Sequence, residues 1–294
     1  MKEFWWGGKV SVNGVLMQPE DARISVFDRG FLFGESVFET LRVHYGRPFA
    51  FDDHLERFFL SGEKIGIELP FSAEQVRSDC EAILEAAELD EAYMRVIATL
   101  GLGPIGLDPS YAQDPQLIVI VLPLPEFPPD LYVDGRAAVT VSVLRNLKLA
   151  VDPGAKTGNY MNSILAAREA RNRGADEAIM LNFEGSVAEG SSSNVFALID
   201  GVWVTPSLEE GILSGITRKT LLRLLEEDTV PVRVGQILPG DLARADEIFL
   251  CSSVRQLVPI VSLDECPVGS GKVGEHYRAV VERYNQEIER YSRA

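Results

Sequence analysis

Val151-Asp152-Pro153-Gly154-Ala155-Lys156-Thr157-Gly158-Asn159-Tyr160 opens the stretch of sequence on which the rest of the reading turns. Val187-Ala188-Glu189-Gly190-Ser191-Ser192-Ser193-Asn194-Val195-Phe196 closes it. Between them, apolar residues at helical spacing predict a helix over residues 160–174, ended by glycine. Strands follow over 177–182 and 186–189. A lysine thus stands in a glycine-rich loop at the head of the stretch, and a glutamate followed by small residues stands at its end.

Outward from this stretch, the preceding strand covers 137–144, and strands over 194–199 and 202–205 follow, turned by Asp200-Gly201. Thr217 is expected to cap a helix reaching about Glu227. Strands over 230–234, 247–251 and 258–262 and a helix from Val273 onward complete this half. Toward the N-terminus, Lys9 to Met17 reads as a hairpin turning at Asn13-Gly14. A short strand at 24–26, a turn at Asp28-Arg29-Gly30 and strands at 36–45 and 48–51 follow, as parts of one antiparallel sheet. Asp52 and Ser72 are expected to cap two helices, and strands at 93–100 and 116–122 flank a Gly/Pro-rich loop. Pro123, Pro125, Pro128 and Pro129 can continue neither a helix nor a sheet interior, so the expected division is a domain over 1–122, a linker over 123–136 and a second domain over 137–294.

A chain of 294 residues is long for one core, which agrees with two domains. The net charge of -16 repels phosphate backbones and argues against nucleic acid as a partner. Cys80, Cys251 and Cys266 are too scattered for a disulfide framework or a zinc site, and His44, His54 and His276 form no metal-ligand spacing. No export signal or membrane-length apolar run is visible, so the expectation is a cytoplasmic protein with no membrane partner and no metal.

Lysines are scarce, and Lys156 sits between Gly154 and Gly158. Such a residue suits a Schiff base with an aldehyde cofactor; the alternative is a surface lysine in a turn. Glu189 lies in a run of apolar and small residues, where a carboxylate is rarely buried unless paired. A protonated pyridine nitrogen would be a fitting partner, and a polar strand end is the alternative. Leu213-Ser214-Gly215-Ile216-Thr217-Arg218 leads into a helix whose free N–H groups can receive a phosphate, with Ser252-Ser253 and Arg57 as further contributors. Two other motifs compete. Gly101-Leu102-Gly103-Pro104-Ile105-Gly106 fits the dinucleotide pattern but is followed by no helix. Ser61-Gly62-Glu63-Lys64 with Lys156-Thr157-Gly158 matches motifs of penicillin-binding serine acyl-enzymes, with the third motif out of order. A binding module without catalysis is the remaining rival.

The chain resembles fold-type IV pyridoxal-phosphate enzymes: branched-chain aminotransferases, D-amino-acid aminotransferases and aminodeoxychorismate lyases. The likeness rests on Asp28-Arg29-Gly30-Phe31-Leu32-Phe33-Gly34-Glu35-Ser36-Val37-Phe38-Glu39-Thr40-Leu41-Arg42-Val43, on His54-Leu55-Glu56-Arg57, and on Lys156-Thr157-Gly158-Asn159-Tyr160. Glu189 to Phe196, Gly215-Ile216-Thr217-Arg218 and Gly274-Glu275 follow in the family's order. The resemblance implies an α/β (α+β) fold with a small N-terminal domain and a larger pseudo-barrel domain, pyridoxal 5'-phosphate as cofactor, and a homodimer. It implies that Lys156 is the Schiff-base lysine and proton shuttle. Glu189 pairs with the ring nitrogen, Tyr160 lies near the phenolic oxygen, and Arg57, Ile216, Thr217 and Ser253 hold the phosphate. Ser192, Ser193, Asn194, Gly215 and Ser252 are implied as further neighbours of the cofactor. Phe33, Phe38, Thr40, Arg42, Leu100 and Arg145 are the implied substrate pocket. Amino acid and keto acid are the implied substrates, exchanged by a ping-pong mechanism, with branched-chain or other apolar side chains favoured. Lyase action on aminodeoxychorismate and D-amino-acid or amine transamination are the alternatives. Thr99-Leu100-Gly101 lacks the arginine that relatives use to grip the substrate carboxylate, so Arg42 or Arg145 is expected to replace it.

Overall fold

The structure is a computed structural model that describes residues 7–226 and 230–293. Two expectations fall outside those residues: the absence of an export signal at 1–6, and the helix end at Glu227. The chain divides into two compact units. The first comprises Met1–Glu126, Ala155–Asn159 and Tyr291–Ala294, and the second comprises Phe127–Gly154 and Tyr160–Arg290.

The first unit holds strands β1 (Lys9–Val12), β2 (Val15–Met17), β3 (Ser36–His44), β4 (Arg47–Pro48), β5 (Ala92–Thr99) and β6 (Gln116–Pro123). They form one sheet in the order β2-β1-β6-β5-β3-β4, antiparallel at every pairing. The β1–β2 hairpin turns where expected, with Asn13 and Gly14 both at positive φ. Helices α1 (Arg29–Phe33), α2 (Phe51–Lys64) and α3 (Ala73–Ala87) complete the unit. Strand alternation sends Val37, Leu41 and Val43 of β3, Met94 and Val96 of β5, and Val119 of β6 into a core with Phe58 of α2 and Val76 and Ile83 of α3. Each such side chain contributes about 1.5–3 kcal/mol when fully buried. The opposite face carries Phe38, Thr40 and Arg42 beside their direct partners Ile97, Arg95 and Tyr93.

Several local expectations are corrected here. Residues 24–26 are not a strand, because a turn closes from the Asp28 amide to the Ser25 carbonyl at 3.1 Å. Asp28 does not merely turn the chain: its carboxylate accepts from the Gly30 amide at 2.8 Å and caps α1. Asp52 is not a cap either. α2 starts after Ala50, which is held in the left-handed region, so Asp52 falls in the first turn. There its charge still complements the helix dipole. Ser72 does cap α3, accepting from the Gln75 amide at 3.1 Å.

The segment Ala155–Asn159 was expected within 137–294, yet it packs with the first unit. The reason is an unfilled strand edge. β4 pairs only with Val43 and His44, which leaves the start of β3 without a neighbour on that side. Lys156–Gly158 fills it: the Phe38 amide donates to the Lys156 carbonyl, and the Gly158 amide donates to the Ser36 carbonyl, each at 2.9 Å. A Cβ on Gly158 would stand 2.3 Å from Ser36 Oγ, so this approach requires glycine.

The second unit contains α4 (Asp130–Val133), β7 (Arg136–Thr140), α5 (Met161–Asn172), β8 (Glu177–Leu181), β9 (Val187–Gly190), β10 (Asn194–Ile199) and β11 (Val202–Thr205). It continues with α6 (Ile216–Glu226), β12 (Val232–Val234), α7 (Pro239–Leu242), β13 (Glu247–Ser252), β14 (Gln256–Leu263), β15 (Cys266–Pro267) and α8 (Glu275–Arg293), whose last residues are grouped with the first unit. The sheet runs β12-β11-β10-β13-β14-β7-β8-β9, with β15 on β14, and mixes parallel and antiparallel pairings. The strand expected over 137–144 stops at Thr140, because Glu169 of α5 takes both the Ser142 amide and hydroxyl at 2.7 Å. Gly274 belongs to a packing device. The Glu247 carboxylate occupies the space a Cβ would need there and accepts from the His276 and Tyr277 amides at the start of α8. Among the described residues no helix is long and apolar enough to cross a membrane.

Candidate active site

Two constellations of chemistry-bearing residues stand out, one in each unit. In the first unit, Lys156 is half-buried and its ammonium lies 4.5 Å from the centroid of the Phe38 ring. Its backbone is pinned on both sides. The Lys156 amide donates to Ser61 Oγ at 3.0 Å, and its carbonyl accepts from Phe38. Ser61 is itself fixed, donating to the Arg57 carbonyl at 2.7 Å. The β3 edge and the buried face of α2 therefore set where this lysine stands.

Behind it lies a buried triad. Glu39 accepts from Arg57 Nε at 2.6 Å and Nη2 at 2.7 Å, and its Oε2 lies 2.7 Å from His54 Nδ1. All three side chains are buried. Burial alone would raise the Glu39 carboxyl, but the Arg57 charge and the two sets of hydrogen bonds outweigh it and hold its pKa far below the ordinary range. Burial keeps His54 below its ordinary value, against the pull of Glu39 and with the charges of Arg57 and Lys156 assisting. The triad is thus an ionised Glu39–Arg57 fork with a neutral imidazole beside it.

The second constellation surrounds Glu189 on β9, which is buried along its whole length. Arg145 Nε donates to Glu189 Oε1 at 2.6 Å. Asn194 Nδ2 and the Leu213 amide donate to Oε2 at 3.1 and 3.0 Å. Asn194 also donates to the Leu213 carbonyl at 3.0 Å, so one side chain ties β10 to the loop before α6. Gly215 is where that loop becomes helix. The Lys219 amide donates to the Gly215 carbonyl at 2.9 Å, so Gly215 rather than Thr217 is the cap, and Thr217 lies within the first turn. A Cβ at Gly215 would fall 1.9 Å from Asn194 Oδ1. Gly190 and Ser193 close a tight turn, the Gly190 amide donating to the Ser193 carbonyl at 2.7 Å. Ser193 Oγ is buried and has no hydrogen-bond partner among the described residues.

Ile216 and Thr217 are buried in the first turn of α6. Ser192 is the exposed corner of the Gly190–Ser193 turn. Ser252 ends β13 opposite Gln256, and Ser253 lies in the turn between them. Tyr160 stands at the cap position of α5. Phe33 is exposed under the Arg29 guanidinium, 4.9 Å from its centroid. Thr40 lies opposite Arg95, and Leu100 follows the end of β5. The two arginines expected to grip a carboxylate are both engaged with protein acids. Arg42 Nη2 lies 3.3 Å from Glu91 Oε2, and Arg145 serves Glu189.

Sequence reasoning missed Arg95. Its guanidinium lies 3.8 Å from the centroid of the Phe38 ring, the same ring that Lys156 approaches, and its hydrogen bond is with Tyr93 Oη at 3.4 Å. No carboxylate of the described residues forms an ion pair with it. The signal was available: in Tyr93-Met94-Arg95-Val96-Ile97, strand alternation puts Met94 and Val96 in the core and Arg95 on the face that carries Phe38.

The profile of the Amino-transferase class IV family matches residues 36–263. A protein of Methanocaldococcus jannaschii with the provisional name branched-chain-amino-acid aminotransferase is 35% identical over 94% of this chain and 95% of its own. The D-alanine aminotransferase of Staphylococcus aureus strain MSSA476 is 31% identical over 97% of this chain and 99% of its own. Among solved structures, the branched-chain amino acid aminotransferase of Thermobaculum terrenum in its PLP-form superposes with a TM-score of 0.86 at 26% identity, covering 97% of this chain and 96% of that one. The fold is that of those enzymes, and with a family profile spanning most of its length the chain belongs to the class IV aminotransferases.

Proposed function

We propose that this aminotransferase uses pyridoxal 5'-phosphate to exchange an amino group between an apolar, branched-chain-type amino acid and a 2-oxo acid. The observation that carries the reading is Lys156, held by its backbone on the edge of β3 with its amine beside Phe38. When bound, the cofactor supplies an electron sink for the substrate Cα. Lys156 would hold the cofactor's aldehyde carbon in the resting enzyme, and its amine, released once the substrate amine has taken that place, would move the proton at Cα as a positioned base. Glu189 is the acceptor for the ring N–H. The first-turn amides of α6 at Ile216 and Thr217 suit the phosphate, as the N-terminus of an eleven-residue helix does. Arg57 adds positive charge there, and Ser252, Ser253 and Ser192 add hydroxyls, while Tyr160 is assigned to the cofactor's phenolic oxygen. The residues present fit such a group: Ser193 Oγ is a buried donor with no hydrogen-bond partner among the described residues, and Glu189 is a buried carboxylate on a wholly buried strand.

Arg95 is the favoured grip for a substrate carboxylate. It is a half-buried cation with no acid partner among the described residues, on the face shared by Phe38 and Thr40. The test is the absorption spectrum of the purified protein with L-leucine or D-alanine as donor, followed by steady-state kinetics of Arg95→Ala. Conversion by L-leucine and not by D-alanine is expected. Arg95→Ala should raise KM for both donor and 2-oxo acid by roughly 10–100-fold, the worth of a hydrogen bond to a charged group, and change kcat much less. An unchanged KM would remove Arg95 from this role. Conversion by D-alanine alone would reverse the stereochemical assignment.

The assembly is proposed to be a homodimer. Val26, Phe27, Phe31, Ile105 and Leu107 are exposed, the last two by 80% and 82%. Val26 and Phe27 lie just before α1, Phe31 lies on it, and Ile105 and Leu107 lie on the loop that Arg29 of α1 ties to it; Arg29 is fully buried and bonds Glu35 at 2.5 Å and the Gly106 carbonyl at 2.9 Å. Exposed apolar residues grouped in this way support such an interface. A solution mass of twice 32.4 kDa is expected by light scattering; a monomer at micromolar concentration would contradict it.

A further inference from the structure

Arg145 was expected to meet the substrate, and the structure gives it a different occupation. Its amide donates to the Leu181 carbonyl at 2.8 Å, which fixes its backbone beside the end of β8. Its Nη1 donates to Asn162 Oδ1 at 3.2 Å, and Asn162 in turn donates to the Leu144 carbonyl at 2.8 Å. Backbone, guanidinium and the α5 side chain that orients it therefore form a closed set, with Nε aimed at Glu189 Oε1 at 2.6 Å. Both partners are largely buried, their side chains exposed by 13% and 7%. Asn194 and the Leu213 amide occupy the other carboxylate oxygen. Charge-assisted bonds to a buried carboxylate are the strong ones, and fixing both oxygens leaves the carboxylate no freedom to rotate.

We propose that Arg145 is a positioning residue for the cofactor's ring: it holds the Glu189 carboxylate in the orientation that the ring nitrogen meets. The inference rests on the assignment of Glu189 to the ring N–H made above. It predicts a role that depends on the nitrogen atom itself and not on the rest of the cofactor. A merely structural arginine would act on the whole site alike.

The experiment compares two probes on the full-length chain stripped of cofactor: pyridoxal 5'-phosphate and its 1-deaza analogue, in which carbon replaces the ring nitrogen. Affinities are measured for the wild type, Arg145→Met, Arg145→Lys and Glu189→Gln. The wild type should prefer the natural cofactor. Arg145→Met should reduce that preference by about tenfold while leaving the affinity for the analogue unchanged, the size expected when a charge-assisted hydrogen bond loses its orientation. Arg145→Lys, which keeps the charge and one donor, should recover part of it and serves as the variant of record if the methionine form does not fold. Glu189→Gln should abolish the preference. Equal weakening of both probes by the Arg145 variants overturns the proposal, because the role is then structural, and so does an undiminished preference. If Glu189→Gln itself keeps the preference, the assignment of Glu189 to the ring nitrogen is what fails, and the inference falls with it.

Discussion

Lys156→Ala should reduce transamination by at least about 10³-fold, within the 10²–10⁴-fold that a positioned proton-transfer group supplies and with the covalent anchor lost besides. The fold should survive. The hydrogen bonds that pin this segment belong to its backbone: the Lys156 carbonyl with Phe38 and the Gly158 amide with Ser36 on β3, and the Lys156 amide with Ser61 Oγ on α2. The side chain is half-exposed and adds a contact with the Phe38 ring, worth about 0.5–1 kcal/mol at such a site. The measurement is single-turnover conversion of L-leucine alongside thermal unfolding. Activity within tenfold of the wild type, with the protein folded, would remove Lys156 from the chemistry. Activity lost together with the fold would mean that the segment's role is structural.

Local signals were readable wherever a short run of residues decides its own conformation. Asn13-Gly14 sets a positive-φ turn, Ser72 caps its helix, and the apolar alternation of β3 and β5 sends the right residues into the core. Lys156 and Glu189 drew attention because a cation in a glycine-rich loop and an acid in an apolar strand are each out of keeping with their surroundings. What was not readable was decided by partners far away in sequence. Residues 155–159 left their expected domain because β4 is too short to cover β3, a fact set by a turn more than a hundred residues earlier. Arg42 and Arg145 were both reasonable carboxylate grips until Glu91 and Glu189 claimed them. Position 215, at the start of α6, requires glycine because Asn194 fills the space beside it, and nothing in the local sequence announces that neighbour. Arg95 is placed by strand alternation on the face of Phe38, but an arginine in an apolar strand suits a solvated edge equally well, so the local sequence does not single it out.

Glu39→Ala should destabilise the protein by about 3–5 kcal/mol, the effect of removing one partner from a buried ion pair and leaving the other uncompensated. Arg57 would keep its charge in a site where only 8% of its side chain reaches solvent, and His54 would lose the acceptor at its Nδ1. Glu39→Gln keeps an acceptor oxygen without the charge and should lie between the two. The pH dependence gives the signature. Glu39 has a folded pKa far below its ordinary value of 4.5, so its stabilisation is complete above that value. It is lost as pH falls through 4.5 toward the folded pKa, where the unfolded chain binds a proton and the native one does not. His54 is also held below its ordinary value of 6.5, so the unfolded chain takes up that proton first, and stability declines below about pH 6.5 in any variant that keeps His54 neutral. Urea unfolding from pH 7 down to pH 3 should therefore show wild type and Glu39→Ala losing stability together at first. The gap between them should narrow only below pH 4.5. A gap that stayed constant to pH 3 would mean that Glu39 contributes by packing alone. A gap under about 1 kcal/mol at pH 7 would mean that the fork between Glu39 and Arg57 does not order this part of the first unit.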